Sequence, residues 1–204
     1  MQLSLIAWIL LCTLQSSLVT AIPSLRVGPR QGLIFSHDLP DGFYTAPIHT
    51  SSQLSKTHIT PNLIQPLNTT DIPSATADSS FSSIRTRAEW WSNLSYNIGC
   101  KPPHKINTDM HTAIRAGTLK KAWKGYVNAR SVSGIKLGNT IVYLCNYSDS
   151  KVIFPDPGRY EDIDQYHLDE KCGERVVGWM MIDTSAQAYG RELTGREICG
   201  TVIG

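Results

Sequence analysis

The sequence predicts an α+β fold: a small disulfide-stapled sandwich with helices packed on one face of a mostly antiparallel sheet. Two observations predict it. An even set of cysteines follows an apolar leader, and helix-like and strand-like patterns alternate in the C-terminal half. Secreted domains of modest size commonly use disulfides to supplement a limited hydrophobic core. We therefore expect residues 88–204 to form a four-cysteine globular domain.

The first 21 residues have the pattern of a secretory signal peptide. Leu3–Leu14 is almost wholly apolar, and Val19 and Ala21 are the small residues expected just before a cleavage site. The apolar run is shorter than the roughly 20 residues that span a bilayer, and no later segment is long and apolar enough to span it. The sequence thus predicts cleavage after Ala21 and a soluble, secreted, extracellular product.

Residues 22–87 are predicted to be a disordered Ser/Thr/Pro-rich pro-region or linker. They contain no cysteine or tryptophan, and their scattered Leu and Ile residues follow neither helical nor strand periodicity. Ordering them would cost about 1–2 kcal/mol per residue in backbone entropy, with little apolar burial to offset it. One part, Asp38–Tyr44, could dock as a short strand. Arg85 and Arg87 offer a furin-like or kexin-like processing site.

Two helices are predicted in the folded region. Asn107 or Thr108 would cap the first, which continues to Asn128 because apolar residues recur at near-helical spacing. Gly117 interrupts this pattern and could split the helix in two. The second helix is predicted over Tyr160–Lys171, where acidic residues occupy the first turn and a Cys-Gly pair follows the last.

Three strands are predicted in the same region. Asn139–Tyr147 is dense in β-branched and aromatic residues, so we expect it to be a central strand. Arg175–Asp183 and Arg196–Ile203 are the other two. Val152–Gly158 contains two prolines and is predicted to be a loop.

Cys100, Cys145, Cys172 and Cys199 are the predicted disulfide cysteines. Four cysteines allow three pairings, and the sequence does not decide among them. Bridging needs Cα atoms within about 7 Å, which makes Cys145–Cys172 the least favoured pair if the strand runs antiparallel to the second helix. We expect no metal and no cofactor, because CxxC and HxxxH spacings are missing and secretion favours oxidised cysteine.

Three N-glycosylation sequons begin at Asn68, Asn93 and Asn146. Asn68 and Asn93 lie in or near segments predicted to be flexible, which favours glycan attachment. Asn146 follows a cysteine at a strand end, where burial could block it.

The net charge and the motifs present in the sequence limit the classes of function that the protein could have. The formal net charge is only +2, which argues against nucleic acid as a partner. No nucleophile elbow or phosphate loop occurs. The candidate acid–base residues of a small secreted ribonuclease are His104, His111, His167, Glu161, Glu170, Asp169 and Arg191. Trp90 and Trp91 could stack on sugar rings, although aromatics at a domain edge more often pack on the core.

Several short motifs together suggest a family. They are Pro40–Tyr44, Gly99-Cys100, Val142–Cys145, Cys172-Gly173, Gly178-Trp179, Tyr189–Arg191 and Gly195–Gly200. In these the chain resembles small secreted cysteine-rich proteins of filamentous fungi, which are effector-like and related to killer-toxin-like α/β folds. The resemblance implies a secreted protein that binds a partner, and it carries over no active-site residues.

The leading hypothesis is therefore a secreted effector-like or toxin-like protein that binds a host or competitor component, protein or glycan, without chemistry of its own. The alternatives are a secreted ribonuclease-like hydrolase and a cell-wall or carbohydrate-associated protein. We expect a monomer.

Overall fold

Strands dominate the part of the chain that the structure describes. The computed structural model describes residues 26–27, 32–48, 61–67, 94–117, 119, 126–153 and 157–200. Within these ranges the strands are β1 (Arg26–Val27), β2 (Leu33–Ile34), β3 (Gly42–Pro47), β4 (Asn62–Pro66), β5 (Tyr96–Lys105), β6 (Tyr126–Val127), β7 (Ser131–Leu137), β8 (Thr140–Asn146), β9 (Val152–Ile153), β10 (Val176–Ile182), β11 (Gln187–Leu193) and β12 (Glu197–Ile198). The helices are α1 (Thr108–Arg115), α2 (Pro157–Asp162), its π-helical continuation (Ile163–Asp169), α3 (Glu170–Cys172) and a 3-10 turn (Asp183–Ser185).

A seven-stranded antiparallel sheet forms the centre of the fold, with the strand order β4-β3-β7-β8-β11-β10-β5. The strand predicted to be central, β8, is central, and all its residues are buried. It pairs with β7 up to Leu137↔Thr140. The two-residue turn between them starts with Gly138 at φ +57°, a conformation that glycine adopts without strain. The predicted antiparallel sheet is thus confirmed.

The helices lie on one face of this sheet. Three side chains of α1 are buried in the same core cluster as Val142 and Leu144 of β8; they are Met110, Ala113 and Ile114. Asn107 caps α1, since its Oδ1 accepts a hydrogen bond from the Met110 N–H at 2.7 Å. Its Nδ2 also donates to the Leu137 carbonyl at 2.8 Å, which ties the helix start to the β7–β8 turn.

A second core cluster lies on the opposite face. There β1, β2 and β12 form a small sheet, in the order β1-β2-β12. Leu33 and Ile198 from this sheet share a cluster with Ile141 and Tyr143 of β8. Successive residues of a strand point to opposite faces, so these two lie on the face opposite Val142 and Leu144. The helices and the small sheet therefore cover opposite faces, and the α+β prediction is supported only in outline because the helices are short.

The structure corrects the prediction that residues 22–87 lie outside the folded domain. Residues 32–48 and 61–67 supply β2, β3 and β4, and β3 pairs with β7 over six residues. The pattern misled because Phe43 and Tyr44, adjacent in sequence, are buried in opposite core clusters and thus show no one-sided periodicity. The leader, the rest of the 22–87 segment and the Arg85–Arg87 junction lie outside the described residues, apart from Arg26–Val27.

Other element boundaries differ from the predictions. The first helix ends at Arg115, with Gly117 just beyond it at φ +66°, and Tyr126–Val127 is a strand rather than a helix end. The predicted loop Val152–Gly158 includes β9 and the start of α2. The helix predicted over Tyr160–Lys171 and the strand predicted over Arg175–Asp183 are confirmed, whereas the last strand is only two residues long.

Two disulfide bonds hold the elements together. Cys100 in β5 bonds Cys172 at the end of α3, with a Cα–Cα distance of 5.4 Å. Cys145 in β8 bonds Cys199, which follows β12, at 5.7 Å. All four predicted cysteines are thus paired, and the disfavoured Cys145–Cys172 pair does not form. Cys100 lies in the middle of β5, and α1 begins only at Thr108.

Across the described ranges, no helix is both long enough and apolar enough to cross a membrane.

Candidate functional site

A row of alternating glycine and aromatic residues crosses the sheet on the face opposite the helices. We call it the aromatic row; its members are Gly99, Trp179, Gly190, Tyr143, Gly134 and Tyr44, on β5, β10, β11, β8, β7 and β3. Each member is the direct cross-strand partner of the next. The row exists only because the strand registers align these six positions.

Two rings of the row lie across glycines on neighbouring strands. A Cβ added to Gly99 would come within 2.4–2.5 Å of three atoms of the Trp179 indole. A Cβ added to Gly190 would come within 2.4 Å of the Tyr143 ring. No side chain larger than hydrogen fits under either ring, so the two glycines let the rings lie against the backbone of the sheet.

An open pocket of about 400 Å³ lies above these rings. We call it the aromatic pocket; its lining residues are Lys101, Tyr143, Tyr147, Trp179, Ala188, Arg196, Glu197, Ile198, Cys199 and Gly200. This volume falls within the roughly 300–1,000 Å³ range of small-ligand sites, and its mixture of aromatic and polar groups is typical of them.

The Cys145–Cys199 disulfide fixes one wall of the pocket. Cys145 is fully buried in β8, so the bond anchors residues 198–200 beside the sheet. The Tyr147 hydroxyl donates a hydrogen bond to the Gly200 carbonyl at 3.4 Å. The wall is therefore set before any ligand arrives, which lowers the entropy cost of binding.

Polar groups of both signs surround the rings. The Lys101 ammonium donates to Glu192 Oε2 at 2.6 Å; the lysine side chain is 41% exposed and the glutamate 1%. Arg196 lies 2.8 Å from the His104 ring nitrogen, and Glu197 Oε1 accepts from the Gly32 N–H at 2.6 Å. The lining thus holds two cations and the Glu197 carboxylate, and the buried Glu192 behind it offsets the charge of Lys101, so the pocket has no marked excess of either charge.

The tyrosine hydroxyls of the pocket stay protonated. Burial raises the pKa of Tyr143 well above its ordinary value, with the Glu192 carboxylate contributing. Burial also raises the pKa of Tyr147. Both groups therefore act as neutral hydrogen-bonding phenols at physiological pH.

A buried charge cluster lies on the other face, between the helices and the sheet. Its members are Arg191, Asp164, Asp169, His111 and Arg115. The Arg191 guanidinium donates to Asp164 Oδ1 at 2.6 Å and to Asp169 Oδ1 at 2.7 Å, and its Nε–H donates to the Val176 carbonyl at 2.8 Å. Arg115 also donates to Asp169, and the His111 Nε2 lies 3.2 Å from the same carboxylate.

The pKa values of the two carboxylates of the charge cluster shift in opposite directions. Burial raises the pKa of Asp164, and Arg191 only partly opposes this. Burial alone would also raise the pKa of Asp169, but hydrogen bonds from His111, Arg191 and the backbone hold it well below its ordinary value. Asp169 is thus a stable anion at the centre of the cluster.

Among the described residues, three side chains of the charge cluster are placed so that they could together bind a metal ion. Atoms of His111, Asp164 and Asp169 lie within 4.8 Å of one another. Arg191 and Arg115 already bond these carboxylates, so a cation would have to displace a guanidinium. The cluster is therefore best explained as an internal ion-pair network that joins the helices to β11.

The structure does not assemble the seven candidate acid–base residues into one site. His111, Asp169 and Arg191 meet in the charge cluster, whereas His104 lies beside Arg196 near the aromatic pocket. The His167 ring packs edge-on against Tyr96, with ring centroids 5.0 Å apart. Glu170 is exposed and Glu161 is partly buried.

The other candidate residues are only partly described. Trp90, Trp91, Asn68 and Asn93 lie outside the described residues. Asn146 is fully buried, and its Nδ2 donates to the carbonyls of Asn128 and Ser150, both at 2.8 Å. The folded protein does not expose this amide, so the structure argues against Asn146 as a glycan site.

The aromatic pocket was missed because its residues come from strands that were not predicted or not paired. In the sequence, Gly178-Trp179 and Tyr189–Arg191 stand out only as short motifs. The available signal was glycine inside strand-like runs, which often marks a close approach of side chain or backbone.

No protein-family model matches this chain, and neither curated proteins nor solved structures show significant similarity to it.

Proposed function

We propose that this chain is a secreted effector-like or toxin-like protein that holds a host or competitor component in the aromatic pocket. The observation that carries the proposal is the pair of rings, Trp179 and Tyr143, laid on Gly99 and Gly190 at the floor of a preformed pocket. The chemistry of the lining is that of a binding site, with aromatic surface and hydrogen-bonding groups, and its cysteine is locked in a disulfide.

Three further features support this proposal. The two disulfides suit an oxidising, extracellular compartment. The apolar leader has the pattern of a signal peptide. The resemblance to small secreted fungal proteins rests on motifs that include Gly178-Trp179 and Tyr189–Arg191, and Trp179 and Gly190 are members of the aromatic row.

The ribonuclease alternative has less support. His111 and Asp169 form a hydrogen-bonded pair on the helix side of the sheet, while His104 lies on the pocket side. An acid and a base on opposite faces cannot act on one phosphodiester.

Retention on cells tests the proposed function. The folded full chain is incubated with intact cells and wall fractions of candidate hosts and competitors, and bound protein is quantified. We expect Trp179→Ala to lose most retention. Tyr126→Ala is the matched control, because Tyr126 is 67% exposed on β6 and outside the pocket. Equal retention of both variants, or RNA cleavage that disappears with His111→Ala, would overturn the proposal.

A further inference from the structure

We infer that the aromatic pocket takes a neutral sugar ring, the end or the middle of an uncharged glycan chain. The inference rests on the proposed function and names its ligand class. Three features of the pocket point to it: the flat aromatic floor, the hydrogen-bonding rim and the balanced charge.

The floor suits the apolar face of a sugar ring. A pyranose presents several C–H groups on one face, and these pack well on the electron-rich face of an indole or phenol. One face of Trp179 lies against Gly99, while the same side chain lines the pocket. The ring is thus held by the sheet on one side and available to a ligand on the other.

The rim suits the hydroxyl groups of a sugar. Lys101 and Arg196 supply N–H donors, Glu197 supplies a carboxylate acceptor, and the Tyr147 phenol oxygen can accept while its proton is donated to the Gly200 carbonyl. Hydrogen bonds to charged groups are stronger than those between neutral groups, so they can replace the water that a sugar hydroxyl loses on binding.

The charge balance selects against anionic ligands. Lys101 is paired with Glu192 at 2.6 Å, and Glu197 lines the pocket beside Arg196. A uronate or a phosphate would therefore be repelled by the Glu197 carboxylate, while the charge of Lys101 is already offset by Glu192 behind the lining, so the pocket lacks the cluster of cations that binds polyanions. An uncharged ring avoids that repulsion and uses the same side chains as hydrogen-bonding partners.

The size of the pocket suits a small ligand. About 400 Å³ is near the lower end of the range for small-molecule sites, so one or two sugar rings would occupy it. The disulfide at Cys199 keeps the wall in place, and the sheet keeps the floor in place. A weakly binding glycan unit benefits most from such preorganisation.

Isothermal titration calorimetry with defined oligosaccharides tests the inference. The probes are chitotetraose, cellotetraose, laminaritetraose and maltotetraose as neutral sugars, with tetragalacturonate and a tetraribonucleotide as anionic ones. The protein is the full chain with intact disulfides. Trp179→Phe keeps a smaller ring, Trp179→Ala removes it, and Tyr126→Ala serves as the aromatic control outside the pocket. A variant that ends at Gly200 tests whether residues 201–204 compete for the pocket.

We expect the wild-type chain to bind at least one neutral tetrasaccharide. Trp179→Ala should weaken that binding at least about tenfold, Trp179→Phe should weaken it less, and Tyr126→Ala should leave it unchanged. Truncation after Gly200 should leave affinity unchanged or raise it.

Other outcomes overturn the inference. They are binding of only tetragalacturonate or the ribonucleotide, binding of a neutral sugar that does not depend on Trp179, and no binding to any probe by either the full chain or the truncated one. Each leaves the proposed function standing if cell retention still depends on Trp179, so the two can fail separately.

Discussion

The indole ring of Trp179 lies across Gly99, its direct cross-strand partner, so that a Cβ at residue 99 would come within 2.4 Å of the ring. Because Gly99 has no side chain, the ring packs directly against the backbone of the sheet. The aromatic pocket lies on the other side of the ring. Gly190 does the same for Tyr143 one strand pair away.

Gly99→Ala should therefore lift the Trp179 ring while keeping the residue itself. We expect a folded protein with altered tryptophan emission and near-ultraviolet circular dichroism, because the ring must leave its place on the sheet. Gly134→Ala is the matched control in the same row, since its added methyl would meet the end of the Ile141 side chain at 3.0 Å rather than an aromatic ring. Identical spectral changes in the two variants would contradict this account of the ring.

Removal of either disulfide should lower stability, but removal of only one of them should also weaken ligand binding. Removing either bond, as Cys145→Ser with Cys199→Ser or as Cys100→Ser with Cys172→Ser, should lower the free energy of unfolding by about 2–5 kcal/mol. Only the first pair should also weaken ligand retention, because Cys199 lines the pocket and Cys100 and Cys172 do not. Urea unfolding and the cell-retention assay measure the two effects, and equal binding losses would argue against a disulfide-fixed wall.

Arg191→Met should be among the most destabilising single substitutions on β11. It leaves the fully buried Asp164 without its cation, and removing one partner of a buried ion pair costs about 3–5 kcal/mol. Arg130→Met, which breaks an exposed pair with Asp149, should leave the unfolding midpoint unchanged. Adding Asp164→Leu to Arg191→Met should recover part of the loss in urea unfolding. No recovery, or an equal loss in the Arg130 variant, would show that the network is not the cause.

Cleavage after Arg87 should yield two chains that stay together. The segment before residue 88 supplies β3, which lies between β4 and β7, and the apolar residues Leu33, Phe35 and Tyr44 of the second core cluster. Its one cysteine is Cys12, in the predicted leader, so only non-covalent contacts would hold the pieces. After cleavage at this junction, both pieces should co-elute under native conditions and separate in denaturant. A free, folded 88–204 fragment would contradict the fold.

The sequence predicted those elements whose signal is local. The β-branched run of β8, the Asn107 cap of α1 and the cysteine set are each readable within a few residues. The strands before residue 88 could not be predicted from local sequence, because Phe43 and Tyr44 are buried by different layers that come from distant parts of the chain.

The candidate site also depends on information that only the register supplies. Gly99 and Trp179 are far apart in sequence, and neither is unusual until β5 and β10 are paired. Arg191 resembles a surface charge in the sequence, yet it is fully buried because Asp164 and Asp169 come from the helical region that covers β11.

The most direct test of the central claim follows the indole N–H resonance of Trp179 by NMR during titration with the neutral tetrasaccharide that binds best. The resonance is assigned from its loss in Trp179→Phe. The account predicts a saturable shift of this signal with the same dissociation constant as calorimetry, while the backbone amide of Tyr126 stays unmoved. Saturable binding that leaves the Trp179 indole signal unchanged would show that the ligand lies elsewhere and would contradict the account.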